Sequence, residues 1–165
     1  MENNQLLASF DDLIALLEQN RIPYRIANPS SHSQVELPTR IGALQSQLMI
    51  IWGPTAPILQ CIHPLPFRVP EERVAAIESA IARINHALVL PGFGLNHKVR
   101  LIYYRLSIPR RDNDQLSAQE FQKACQTAIG TAADFYLPLK KVALENQAAD
   151  AILNQTAPAQ SGSNL

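Results

Sequence analysis

The stretch Val99-Arg100-Leu101-Ile102-Tyr103-Tyr104-Arg105-Leu106-Ser107-Ile108 decides the fold. Successive side chains of an extended segment point to opposite faces. Ile102, Tyr104, Leu106 and Ile108 therefore share one face, and Val99, Leu101 and Tyr103 the other. Apolar residues on both faces predict an interior strand, covered by helix on at least one side. Pro109 ends it, since proline has no N–H for a ladder, and Arg110-Arg111-Asp112-Asn113-Asp114 follows as an exposed polar loop.

Just upstream, Pro91-Gly92-Phe93-Gly94 breaks a helix that begins at Val69-Pro70-Glu71-Glu72. Proline suits a first helical position, and the two carboxylates complement the positive end of the helix dipole. Val74, Ile77, Ile81, Ile84 and Leu88 repeat at steps of three and four, as one buried stripe does. Asn85 interrupts that order and is expected to hold the following loop by hydrogen bonds.

Further upstream, residues 34–67 read as an antiparallel meander. Val35 and Leu37 mark one strand, and Leu48-Met49-Ile50-Ile51-Trp52 marks another, an apolar run expected where both sheet faces are covered. The turn Gly53-Pro54-Thr55-Ala56-Pro57 returns the chain over residues 58–63, and Pro64 and Pro66 are expected to end the ladder. Residues 24–27 make a short strand and Asn28-Pro29-Ser30-Ser31 a turn. The first helix is placed at about residues 4–20, with Leu6, Phe10, Leu13, Ile14 and Leu17 as its stripe. Ser9 with Asp12 offers a capping interaction, and Asn20 a left-handed stop.

Downstream, Ser117-Ala118-Gln119-Glu120 is a capping box with Leu116 and Phe121 as its hydrophobic staple. Phe121, Cys125, Ala128, Ala132, Phe135, Leu139 and Val142 trace the buried face of the third helix. Pro138 removes a hydrogen bond to Asp134, which predicts a kink or break there. The pattern fades after Gln147. Residues 1–147 are read as one domain and 148–165 as a disordered tail.

The chain has 165 residues, with 14 Lys plus Arg balanced by 14 Asp plus Glu. That length suits one domain with a real core. Zero net charge argues against nucleic acid or an anionic membrane as the main partner, and it favours self-association. The charged fraction of 17% is low against the usual ~25%. No run reaches the ~18 apolar residues of a membrane span. The start, Met1-Glu2-Asn3-Asn4-Gln5, lacks the basic opening of a signal peptide, and Cys61 and Cys125 are read as reduced thiols. A cytoplasmic location is expected.

The order helix, antiparallel strands, helix, long strand, helix describes an α+β fold, a sheet of about five strands packed by three helices. Within it, residues 69–142 resemble the YbjN-type family, related in fold to the class I type III secretion chaperones. The resemblance is carried by Val69-Pro70-Glu71, Ala82-Arg83-Ile84-Asn85, Gly92-Phe93, Tyr104-Arg105, Leu116-Ser117, Asp134, Pro138 and Val142. The chain departs from the family pattern at Pro91-Gly92-Phe93-Gly94-Leu95 and Asn96-His97, so no ligand is assigned to that turn. The resemblance implies a type III secretion chaperone-like architecture, a homodimer, and binding of polypeptide without catalysis. It brings no catalytic residues.

Few residues have the spacing of a reaction centre. Cys61 and His63 lie two apart on a strand and share a face, a spacing open to a thiolate–imidazole pair or a metal. A structural zinc site needs four ligands and the partners are missing, so packing is the favoured reading, as it is for Cys125. Gly92-Phe93-Gly94 lacks phosphate-loop spacing and reads as a bend. No cofactor or metal is expected, and the protein is read as a non-enzyme. No acidic residue lies between Glu78 and Asp112, while Lys98, Arg100, Arg105, Arg110 and Arg111 fall close together. Together with Trp52 and Tyr104, these are the candidate contacts to a protein partner or an anion. Ordinary ion pairs remain the favoured reading of the charges, because Arg100 and Arg105 alternate in face. The leading function is a chaperone-like or regulatory protein-binding module. The alternative is a regulator holding a small anionic ligand on the basic cluster.

Overall fold

In a computed structural model, which describes residues 5–27, 33–53, 57–110 and 115–155, the deciding strand lies inside a six-stranded antiparallel sheet. Its strands are β2 (Arg25–Ile26), β3 (Gln34–Ile41), β4 (Leu44–Trp52), β5 (Ile58–Arg68), β6 (Phe93–Asn96) and β7 (Leu101–Pro109), in the order β2-β3-β4-β5-β7-β6. Two further short strands, β1 (Leu6–Leu7) and β8 (Leu116–Ser117), pair with each other. The helices are α1 (Phe10–Gln19), α2 (Val74–Ala87) and α3 (Ala118–Leu144). The α+β class and the three helices agree with the sequence. The short strand read at residues 24–27 is present as β2, and the sheet is wider than five strands because β6, four residues long, leaves no periodic signal.

One sheet face is closed. Leu59, Cys61, His63 and Leu65 of β5, with Ile102 and Tyr104 of β7, are fully buried. The helices cover this face; Phe135 of α3 packs edge-on to Phe93 with ring centroids 5.3 Å apart. Each fully buried Leu, Ile or Phe contributes about 1.5–3 kcal/mol, so these alternating positions hold the layers together.

Four expectations are corrected. The first helix begins at Phe10, not near residue 4, because Ser9 and Asp12 form a reciprocal capping box: Asp12 N donates to Ser9 Oγ (3.1 Å) and Ser9 N to Asp12 Oδ2 (3.0 Å). Leu6 and Leu7 precede it as a strand, which buries Leu7 and leaves Leu6 54% exposed. The left-handed residue after α1 is Arg21 (φ 54), while Asn20 keeps φ −89 and donates its side-chain amide to the Leu16 carbonyl. β5 runs through Pro64 and Pro66 to Arg68, since its pairing with β4 ends at Ile62 and its register with β7 shifts between Pro64 and Arg68. A strand with one neighbour and an irregular ladder tolerates missing donors.

The fourth is the break offered as one outcome near Asp134: α3 passes Pro138 as one helix. An interior proline costs about 3 kcal/mol. Burial of Phe135, Tyr136, Leu139 and Val142 around it exceeds that cost several-fold. Beyond α3, the Arg73 guanidinium donates to the carbonyls of Val142 (3.0 and 2.6 Å) and Gln147 (3.0 Å). The chain then forms a 3-10 helix, Ala149–Gln155, whose Ile152 is fully buried. That helix falls in the stretch read from the sequence as tail. The remaining tail, 156–165, and the turn and loop positions 28–31, 54–56 and 111–114 lie outside the described residues.

Candidate functional site

Cys61 and His63 do share a face, and both are fully buried. His63 Nε2 lies 2.9 Å from Thr39 Oγ1 and Nδ1 3.1 Å from the Pro64 carbonyl. The carbonyl can only accept, so Nδ1 carries the proton and Nε2 accepts from the threonine hydroxyl. Burial holds the imidazole below its ordinary pKa, partly opposed by the Pro64 carbonyl. The Cys61 thiol, hydrogen-bonded to Cys125, pushes the Cys125 thiol well above its usual value, and burial adds to this. A buried thiol that bonds a second thiol, beside a neutral imidazole with both nitrogens occupied, makes a satisfied core pair. Among the described residues, no group of three or more His, Cys, Asp or Glu could hold a metal ion.

The remaining candidates fall in three places. Trp52 and Arg110 meet at the far end of β7: the guanidinium lies 4.2 Å from the Trp52 ring centroid and Nη2 donates to the Gly53 carbonyl (2.8 Å). Arg110 is only 6% exposed, so its charge is turned inward. Lys98 and Arg100 occupy the β6–β7 turn, where Arg100 (φ 50) pairs with Glu71 at 3.3 Å. Roughly 30 Å of strand separates the two ends. Tyr104 lies inside the core, its ring 5.1 Å from Phe93 and its hydroxyl donating to the Leu90 carbonyl (2.9 Å); burial raises its pKa. Only Arg105 points from mid-strand to the other sheet face, where it is exposed. Arg111 lies outside the described residues.

Asn85 behaves as the sequence suggests. Its amide donates to the Phe93 carbonyl (2.9 Å) and its oxygen accepts from the N–H groups of Gly92 (3.2 Å) and Phe93 (3.0 Å). One side chain thereby satisfies the outer edge of β6.

The feature the sequence reading missed is the second sheet face. Met49 and Ile51 of β4, Ile58, Ile62 and Pro64 of β5, and Leu101 and Tyr103 of β7 all project there and stay half-buried. The run at 48–52 was expected to be covered on both sides; among the described residues it is covered on one. The cross-strand register lines up two rows on the open face. One is Arg25–Glu36–Met49–Ile62–Arg105 and the other Gln34–Ile51–Gln60–Ser107. Each row is apolar or neutral at its centre and polar at its ends. Glu36, paired with Arg25, lies in a shallow groove of ≈ 260 Å³ that Pro23, Tyr24, Pro38 and Gln47 also line.

The two rows lie side by side on one open face of the sheet. The YbjN family model, described as "Putative bacterial sensory transduction regulator", matches residues 9–141. The chain belongs to the YbjN family. The match takes in α1 and the meander as well as the segment that carries the sequence resemblance, and the description is that of a regulator. No curated protein and no solved structure matches the chain. No helix in this YbjN-family chain is long and apolar enough to cross a membrane among the described residues.

Proposed function

We propose that this YbjN-family protein is a non-enzymatic regulatory module that works by binding protein, chaperone-like in architecture, as a cytoplasmic homodimer. The observation that carries this reading is the half-exposed apolar face of the sheet centred on Met49, Ile51 and Ile62. Apolar side chains that stay partly exposed side by side on neighbouring strands, as these do on β4 and β5, favour an interaction site. The low overall charge favours contact with protein over nucleic acid or an anionic membrane. Two free thiols suit a reducing compartment. The alternative, an anion held by the basic cluster, draws less support, because Arg110 stacks on Trp52 and Arg100 pairs with Glu71 at the opposite end of β7.

Native-size chromatography of cell extract tests the reading. Ile62→Glu places a charge in the middle of the open face, whereas Val89→Glu changes a residue that is 95% exposed in a loop. The wild type and Val89→Glu are expected to elute in an assembly larger than one chain, and Ile62→Glu as the monomer. Unchanged elution of Ile62→Glu would overturn the proposal.

A further inference from the structure

In the first row on the open face an acid, Glu36, and a base, Arg105, flank the apolar pair Met49 and Ile62 at equal distance, a self-complementary pattern of the kind a surface that binds its own copy requires. We infer that a second copy of this chain docks on this face, about a two-fold axis that runs parallel to the strands between β4 and β5. The inference rests on the open face being a protein-docking surface and specifies what docks there.

The argument is one of register. A rotation about that axis exchanges β4 with β5 and β3 with β7 while keeping each row level with itself. In the first row it sets Met49 over Ile62 of the second copy and Glu36 over Arg105 of the second copy. In the second row it sets Ile51 over Gln60 and Gln34 over Ser107. Met49 and Ile62 therefore meet at the centre of the first row, Ile51 meets Gln60 in the second, and the acid of each copy meets the base of the other twice.

The groups are free to do so. Arg105 is exposed and makes no ion pair among the described residues; its one ring contact is with Tyr103, 5.9 Å from the centroid. Glu36 takes Arg25 on Oε2 and its side chain, 11% exposed, lines the groove, so the approach of a second cation is through that opening. Facing sheets pack about 10 Å apart, a gap that an arginine side chain from one copy spans into a groove of the other. A zero net charge removes the long-range repulsion that opposes association of identical chains. Four strands and about six residues of each give a face roughly 20 Å by 20 Å. At about 400 Å² per copy, or about 800 Å² in total, that is below the size of stable specific interfaces, so a weak, reversible, concentration-dependent dimer is expected.

Sedimentation of the purified full chain over a concentration series is the test. The wild type is expected to pass from monomer to dimer as concentration rises. Arg105→Glu faces Glu36 of the second copy with a like charge and should weaken the dimer by roughly tenfold or more. Glu36→Lys should do the same. An equimolar mixture of the two variants should recover a heterodimer, because the exchanged charges again meet with opposite sign. Because Glu36 is largely buried, thermal unfolding of Glu36→Lys is measured alongside. If that variant is unfolded, photo-crosslinking from Gln60→p-benzoylphenylalanine takes its place, with attachment expected at or beside Ile51 of the second copy. A wild type that stays monomeric at every concentration, a dimer indifferent to Arg105→Glu, or attachment far from β4 would each overturn the inference. If purified chains stay monomeric while Ile62→Glu still releases a larger assembly in extract, the homodimer is wrong here and in the proposed function, and the docking face stands for another protein.

Discussion

At the scale of single residues, two buried polar side chains set conditions on stability. His63 is neutral in the folded core, with its pKa pushed below the ordinary value of 6.5 by burial. The unfolded chain therefore binds a proton at higher pH than the folded chain does. Stability rises with pH wherever the unfolded state holds more protons, so the contribution is complete above about pH 6.5 and is lost as pH falls below it. The urea midpoint is expected to drop between pH 7.5 and 5.5, and His63→Gln should flatten that part of the profile. An equally steep profile in the variant would contradict the assignment. Asn85 makes three hydrogen bonds to the backbone at 92–93. Asn85→Ala leaves buried groups unpaired and should cost about 1–3 kcal/mol in denaturant unfolding; a loss below about 0.5 kcal/mol would show that water replaces the amide.

At the scale of elements, the β6–β7 pairing depends on close backbone approach. A Cβ added at Gly92 would lie 2.1 Å from the Arg105 carbonyl oxygen, a backbone atom that cannot swing away. A Cβ at Gly94 would meet the Tyr103 hydroxyl at 2.6 Å, at the end of a side chain that can turn. Gly92→Ala should therefore destabilise by roughly 3 kcal/mol and Gly94→Ala by under about 1 kcal/mol, read from unfolding midpoints. Equal effects would contradict the geometry.

Legibility follows the same distinction between local and distant contacts. The Ser117 capping box, the Asn85 brace and the face alternation of β7 depend on neighbours a few positions away, and the sequence displays them. The β1–β8 pair joins residues more than a hundred positions apart, and Leu6 and Leu7 fit a helical stripe as well as a strand. Pro64 and Pro138 look like stops because their cost is local while the burial that offsets it is tertiary.

At the scale of the whole molecule, the sequence announces apolar residues on both faces of the central strands without saying which face the helices take. Leu59, Cys61, His63 and Leu65 are covered; Met49, Ile51 and Ile62 are not. The candidate site was illegible for that reason, since alternation defines two faces and only packing tells them apart. The basic cluster illustrates the converse. Residues close in sequence are spread by an extended strand, and among the described residues of the cluster Arg105 alone reaches the open face. It does so level with Glu36, a residue that no sequence pattern links to it.

The claim at the centre of this account is that the open sheet face is where the protein meets other protein. Photo-crosslinking in growing cells addresses it most directly, with p-benzoylphenylalanine at Gln60 on that face and, as a control, at Gln126 on the exposed side of α3. Discrete covalent protein adducts from position 60, reduced by Ile62→Glu and missing from position 126, are the expected result. Equal labelling from both positions, or none from position 60, would contradict it.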